Sequence, residues 1–177
     1  MKKMFASMLV LALLMTGCNS DKKTETGDKE KMEDSTESKE EKNKQTAIAS
    51  VNALVAGDID ATLKDAAADV VDYGDGSMAP TKGMDSIKAS LHGWRDAMSA
   101  YKVENMWAMA DGDYVAVFGE WHSTFKSDIM GMKTAGKSVA IKDVDIFKFN
   151  SEGKVTEHRN IQSFAEFMKQ LETGAPK

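Results

Sequence analysis

The spacing of apolar residues changes near Tyr101, and this change constrains the fold more than any other feature of the chain. Before it, apolar residues recur at steps of three and four, which is the period of an amphipathic helix. After it, large side chains alternate with smaller or charged ones, as in a strand. The Asp111-Gly112 pair is typical of a hairpin turn. We predict four strands, which begin at residue 101 and continue over 114–125, 137–149 and 154–161.

The chain before these strands predicts mostly helices. Ser163 and Glu166 have the spacing of a capping box, which predicts a last helix after the strands. The order α-α-β-α-β-β-β-β-α favours the α+β class. Because long strands twist, we expect a cone-shaped, curved antiparallel sheet with helices over its concave face. The predicted early elements are helices over 46–56 and 83–100, a short helix after Asp58, a strand over 69–73 and a loop over 74–82.

The N-terminal segment has the layout of an export signal. Lys2 and Lys3 precede an apolar run that is too short to span a bilayer, and small residues lead to Cys18, the single cysteine. The segment resembles the lipobox of bacterial lipoproteins, with Met15 where leucine is usual. This resemblance implies that residues 1–17 are removed and that Cys18 is acylated. We therefore expect an extracytoplasmic protein of the bacterial cell envelope, held to a membrane by lipid; the alternative is an ordinary secretory signal.

The next segment, 18–44, is rich in charged residues and poor in apolar ones, so we predict a flexible linker. A helix over 29–44 is the alternative, since opposite charges recur three and four residues apart. The predicted domain covers 45–173, and 174–177 form a tail. The net charge is −5 and no basic stripe occurs, which argues against nucleic acid as a partner.

Several short motifs occur in a familiar order. They are PTKGMDSI at 80–87, GDYVAV at 112–117, GKSV at 136–139 with VDIF at 144–147, and GKVTEH at 153–158. Together they resemble the nuclear transport factor 2-like superfamily, and within it the SnoaL-like polyketide and ester cyclases. The resemblance implies a pocket in the cone, and dimers that form through the outer face of the sheet. In such cyclases an acid/base carboxylate commonly lies in or just after the last strand, where this chain has Asn160.

Two carboxylates interrupt an apolar strand face. Asp143 and Asp145 alternate in phase with Ile141 and Phe147, so they are candidate catalytic residues for proton transfer. His158 is the third catalytic candidate. The alternatives are a bulge that turns both aspartates to water and a solvated or sheet-pairing histidine.

Other side chains are candidates for lining the pocket. Tyr73, Trp107 and Trp121 offer aromatic surface, and His122 and Asn160 offer polar contacts. For His122 the sequence leaves open which face of its strand the side chain lies on. Three scattered histidines and one cysteine give no metal-ligand spacing, and no phosphate-binding loop occurs, so we predict no metal and no cofactor.

Three functions remain open at this point. The first is a lipid-anchored domain that binds a small apolar or amphipathic molecule in its pocket. The second is a SnoaL-like cyclase, isomerase or hydrolase that uses Asp143, Asp145 and His158 for proton transfer. The third is a homodimeric interaction module without a ligand. The amide at Asn160 favours the first, because an amide cannot exchange a proton near neutral pH as a carboxylate does.

Overall fold

The computed structural model describes residues 26–129 and 131–174. Three predictions lie outside the described residues: the signal peptide, the lipidation site at Cys18 with residues 19–25 of the linker, and residues 175–177 of the tail. No described helix is both long enough and apolar enough to cross a membrane.

The described chain contains four helices and six strands, in the order predicted except for one short added strand. The elements are α1 (Thr26–Ala56), α2 (Ile59–Leu63), β1 (Ala66–Asp72), β2 (Thr81–Lys82), α3 (Met84–Asp96), β3 (Met98–Asp111), β4 (Tyr114–Phe125), β5 (Ser138–Phe149), β6 (Val155–Asn160) and α4 (Phe164–Thr173).

All six strands form one curved sheet in the order β2-β1-β6-β5-β4-β3. Strands β3 to β6 pair antiparallel, as predicted for hairpin-linked neighbours. Strand β1, however, pairs parallel to β6, so the sheet is mixed rather than wholly antiparallel. The reason is that β6 returns beside β1 only after the chain has passed through α3 and three long strands. The sheet is not closed, and β2 and β3 are its edges.

Of the flexible linker predicted over 18–44 and the alternative of a helix over 29–44, the structure has the helix, because α1 begins at Thr26 and is continuous to Ala56. Its polar residues are fixed by contacts with the β3–β4 turn. The Lys39 Nζ atom lies 2.7 Å from Asp113 Oδ1, and the backbone N–H of Gly112 donates to Glu40 Oε1 at 2.7 Å. The Asn43 side chain is also buried, and its Oδ1 atom lies near Gly153 in the β5–β6 turn. The low hydrophobicity of this segment predicts an unfolded linker, but contacts of its charged residues stabilise a helix.

Helix α3 ends at Asp96 rather than near residue 100. The Ala97 N–H donates to the carbonyl oxygens of Trp94 and Arg95 and so caps the helix. The Ala97 carbonyl in turn accepts from the Lys126 N–H at 2.8 Å. Met98 then pairs with Phe125 at the start of β3. Sheet pairing has overridden a helical period that continued through Met98, because the same residues also fit a strand face.

The core lies between the concave face of the sheet and the helices. Buried side chains of α1, β1, α3 and the long strands form the larger cluster, and α4 packs on a second cluster at the ends of β4 and β5. One of the two hydrogen bonds of the predicted capping box is confirmed, since Ser163 Oγ accepts from the Glu166 N–H at 3.2 Å. This cap fixes the start of α4 at one end of the cone.

Candidate functional site

The concave face of the sheet and the helices enclose a cavity of about 1010 Å³. Its most exposed apolar lining residues are Met78, in the loop after β1, and Phe164, at the start of α4. Both follow strands that end on the same side of the sheet, so the cavity opens there. Most of its wall is apolar, with side chains that include Val51, Ile87, Leu91, Trp94, Trp121 and Ile141.

Strand β5 brings Asp143 and Asp145 to this cavity. Its register with β4 is continuous from Ser138 to Lys148, so no bulge turns the aspartates outward. Both line the cavity together with Ile141 and Phe147. Of the two alternatives open for this strand, the inward position of both carboxylates is therefore the one that the structure has.

His158 lies between two carboxylates. Its Nδ1 atom is 2.9 Å from Asp72 Oδ1, and its Nε2 atom is 3.3 Å from Asp145 Oδ1. The histidine side chain is 27 % exposed, and the aromatic ring of Phe147 packs against it at 5.0 Å between centroids. We call Asp72, His158 and Asp145 the ion triad. It joins β1, β6 and β5 across the centre of the sheet.

Electrostatics keep His158 protonated and Asp72 ionised. Burial alone lowers the pKa of His158, but its hydrogen bonds to Asp145 and Asp72 and the charges of these two carboxylates together outweigh burial and raise the pKa to about 10. Burial raises the pKa of Asp72, but the hydrogen bond and charge of His158, together with the hydrogen bond from the Gly74 N–H, outweigh burial and hold the pKa below its ordinary value. At neutral pH both ring nitrogens therefore donate, and His158 has no free lone pair with which to accept a proton.

Asp143 has a different environment. Its Oδ1 accepts from the Val144 N–H at 2.7 Å, and its Oδ2 accepts from Asn160 Nδ2 at 3.1 Å. Among the described residues it has no cationic side chain within 4 Å. Burial, and then the charge of Asp145, raise the pKa of Asp143 to about 6. A carboxyl with this pKa exists in both protonation states near neutral pH, which suits a general acid or base.

The comparisons with known proteins agree with this architecture. The family model for the SnoaL-like polyketide cyclases matches residues 45–171. This chain belongs to the SnoaL-like polyketide cyclase family.

Solved structures with the SnoaL-like fold match most of the chain at low identity. A proposed polyketide cyclase from Xanthomonas campestris has a TM-score of 0.69 and 19% identity, over 75% of this chain and 98% of that one. The proposed hydroxylase AclR of Streptomyces galilaeus has a TM-score of 0.63 and 22% identity, over 76% and 98%. An LEH-like epoxide hydrolase of M. tuberculosis has a TM-score of 0.60 and 19% identity, over 75% and 91%. No curated protein matches the chain. These similarities show the fold alone.

Three of the predicted binding residues lie at the cavity of this SnoaL-like domain. Trp121 is buried in its wall, Asn160 holds Asp143, and Tyr73 lines the cavity near its opening. The guanidinium carbon of Arg159 lies 4.8 Å from the centre of the Tyr73 ring. Their roles in binding stay predictions, as do the catalytic roles of Asp143, Asp145 and His158.

The other two predicted binding residues lie on the convex face, so their assignment to the pocket is wrong. Asn105 has a φ of 53° and forms a bulge, which shifts the register between Glu104 and Trp107. Beyond the bulge the alternation is inverted, so Trp107 faces outward, 54% exposed, and stacks on Phe118. His122 shares that face, because β4 directs Trp121 inward.

His122 contacts acidic residues on the convex face rather than a ligand site. Its Nε2 atom lies 3.2 Å from Glu104 Oε2 and 3.7 Å from Glu120 Oε1. Within the described residues, no group of three or more His, Cys, Asp or Glu side chains is placed to hold a metal ion.

Sequence reasoning missed Asp72 and Tyr101 as site residues. Asp72 enters the site because β1 pairs parallel with β6, which places it beside His158. Tyr101 lines the cavity and packs edge-on against Trp94, with ring centroids 4.8 Å apart. Burial, and then the charges of Asp145 and Asp143, raise the pKa of Tyr101 well above its ordinary value. In the sequence, Asp72 is only a carboxylate near the end of a predicted strand, and nothing there indicates that it pairs with His158.

Proposed function

We propose that this SnoaL-like domain binds a small apolar or amphipathic molecule in its cavity. The volume of about 1010 Å³ is at the upper end of the range for small-molecule pockets. The observation that carries the proposal is the distribution of polarity within it. Asp72, Asp143, Asp145, His158 and Asn160 meet on one wall, whereas the facing helices contribute mainly apolar side chains. Such a wall orients the polar end of a ligand whose body is held by apolar contact.

Tryptophan fluorescence tests this proposal, because the tryptophans differ in position. Trp94 and Trp121 lie in the cavity wall and Trp107 lies on the convex face. A bound aromatic molecule should quench the emission of the wild type and of Trp107→Phe, and should quench the double variant Trp94→Phe/Trp121→Phe, which keeps only Trp107, much less. A panel of uncharged fused-ring and terpenoid compounds is the first set of probes, with thermal unfolding as a second readout. Equal quenching of both variants, without thermal stabilisation, would contradict binding in the cavity.

A second candidate is acid–base catalysis on the bound molecule. The raised pKa of Asp143, to about 6, favours it, as does the fixed contact of this carboxyl with Asn160. In this scheme Asp143 takes a proton from the ligand as carboxylate and returns it as the acid. Asp145 and His158 would then act as positioning residues, because their polar atoms are engaged in the ion triad.

Proton exchange measures this activity without knowledge of the product. A cyclic ketone such as tetralone is incubated in deuterated buffer, and loss of its α-proton signal is followed by NMR. The wild type should exchange the proton faster than buffer, and Asp143→Asn should lose this acceleration. Asp69→Asn is a matched control, because Asp69 is exposed on β1. Equal acceleration by Asp143→Asn and the wild type would rule out this role for Asp143.

We further propose that Cys18 is acylated and anchors the domain outside the cytoplasm. The sequence layout before Cys18 supports this localisation. Labelling of cells with a palmitate analogue should mark the wild-type protein and leave Cys18→Ala unmarked. Labelling of both proteins alike would contradict acylation at this cysteine.

We also propose a homodimer through the convex face of the sheet. An outer apolar patch, defined as Trp107, Met109, Tyr114 and Phe118, covers neighbouring positions of β3 and β4. Three of its four side chains are about half exposed. An apolar patch of this kind on a sheet face is typical of an interaction site.

A further inference from the structure

The polar wall of the cavity carries more negative than positive charge. Asp72, Asp143 and Asp145 are its three carboxylates, and His158 is its cation. The imidazolium is used within the ion triad, where it donates to Asp72 and Asp145. Asp143 is left with two neutral donors, the Val144 N–H and the Asn160 amide. Each carboxylate oxygen accepts more than one hydrogen bond, so Asp143 has capacity for a further donor from the cavity.

Two aromatic side chains, Trp121 and Tyr101, lie near this carboxylate. Gly119 is the β4 partner of Asp143, and Trp121 is two residues further along the same face. Trp121 is therefore a diagonal cross-strand neighbour of Asp143, within reach of its side chain. Tyr101 lies close enough for the charges of Asp143 and Asp145 to act on it, and its ring packs against Trp94. Carboxylate and aromatic faces in one desolvated site attract a cation and disfavour an anion.

We propose that the ligand of this cavity is an organic cation, a protonated amine with an apolar body, whose ammonium group donates to Asp143. This inference rests on the proposed small-molecule binding and specifies the charge of the ligand. The ammonium group supplies the positive charge that the wall lacks, and its apolar body packs on Trp94 and Trp121. A carboxylate or phosphate ligand at this wall meets three carboxylates and finds the cation of the wall, His158, already paired with Asp72 and Asp145.

Three probes with one ring system separate charge from shape. Naphthylmethylamine is cationic near neutral pH, naphthylmethanol is neutral and naphthoate is anionic. Binding of each to the full-length protein is measured by titration calorimetry at about pH 7.5, where Asp143 is mostly ionised. We expect the amine to bind at least about tenfold more tightly than the alcohol, and the anion to bind more weakly than either.

Asp143→Asn removes the charge and keeps the shape of the side chain. The amine should then bind no more tightly than the alcohol, and a cooperative thermal unfolding transition like that of the wild type shows that the variant is folded. Asp69→Asn should retain the full preference for the amine. If Asp143→Asn does not fold, the order of the three affinities for the wild type still tests whether the cavity prefers a cation.

Each outcome bears on a different claim. Equal or tighter binding of the alcohol or the anion by the wild type overturns the cation inference and leaves small-molecule binding in place. Retention of the amine preference in Asp143→Asn overturns the assignment to Asp143. Failure of all three probes to bind counts against the proposed binding function itself, and the inference falls with it.

Discussion

Replacing His158 with glutamine removes the positive charge between Asp72 and Asp145 while keeping a hydrogen-bonding side chain. The three carboxylates of the wall, these two and Asp143, are then left without a cation. Removal of one partner from a buried ion pair costs about 3–5 kcal/mol. The rise in the pKa of His158 from its ordinary 6.5 to about 10 gives a similar figure, about 5 kcal/mol. We expect His158→Gln to lower the free energy of unfolding by about 3–5 kcal/mol at neutral pH.

The raised pKa of His158 also determines how the stability of the protein depends on pH. Because the folded pKa is above the unfolded one, His158 contributes its full stabilisation below about pH 6.5, and this contribution is lost as the pH rises towards 10. The wild type should therefore lose stability between these limits, whereas His158→Gln should show a much smaller loss. In the acid range the variant should gain relative to wild type, because protonation relieves repulsion among the three carboxylates.

Urea unfolding, followed by circular dichroism at several pH values, measures both effects. His92→Gln is the matched control, because His92 is exposed on α3 and should change the stability little. A loss below about 1 kcal/mol in His158→Gln, or parallel pH profiles for the variant and the wild type, would refute the ion triad as a stabilising unit.

Three further changes test the packing, the patch and the cap. Gly119→Ala would place a Cβ atom 2.7 Å from Val103 Cγ2 and 2.9 Å from the Trp121 ring, so we expect a loss of about 1–3 kcal/mol in thermal unfolding and a shifted Trp121 emission; an unchanged melting temperature would contradict this. Trp107→Glu places a charge in the outer apolar patch and should convert a dimer to a monomer in light scattering, whereas a wild type that is already monomeric would end the dimer proposal. Ser163→Ala removes the α4 cap and should cost about 1 kcal/mol in urea unfolding.

Local patterns predicted most of the elements. Strand β4 has the predicted bounds, Tyr114–Phe125, because alternation and the Asp111-Gly112 turn agree there. The cap of α4 at Ser163 was also predictable, since it depends on residues three apart. The inward phase of Asp143 followed from alternation once β5 proved to have no bulge.

The errors come from long-range pairing and from single-residue irregularities. Nothing local to β1 indicates that it will lie parallel to β6, yet this pairing brings Asp72 to His158. One left-handed residue, Asn105, inverts the alternation after it and moves Trp107 to the convex face. Local patterns left a linker and a helix open over 29–44, because the stability of this part of α1 depends on contacts with a turn about seventy residues later in the chain, such as that between Glu40 and Gly112.

Helix α1 places the start of the described chain at the end of the strands opposite the cavity opening. Its 31 residues span about 46 Å, and it contacts the sheet at the β3–β4 turn, at Lys39 and Glu40. The residues at the cavity opening, Met78 and Phe164, follow β1 and β6 at the opposite end of the strands. If Cys18 carries the proposed lipid, the described chain begins at the side of the domain opposite the opening, which favours entry of the proposed ligand from the aqueous phase.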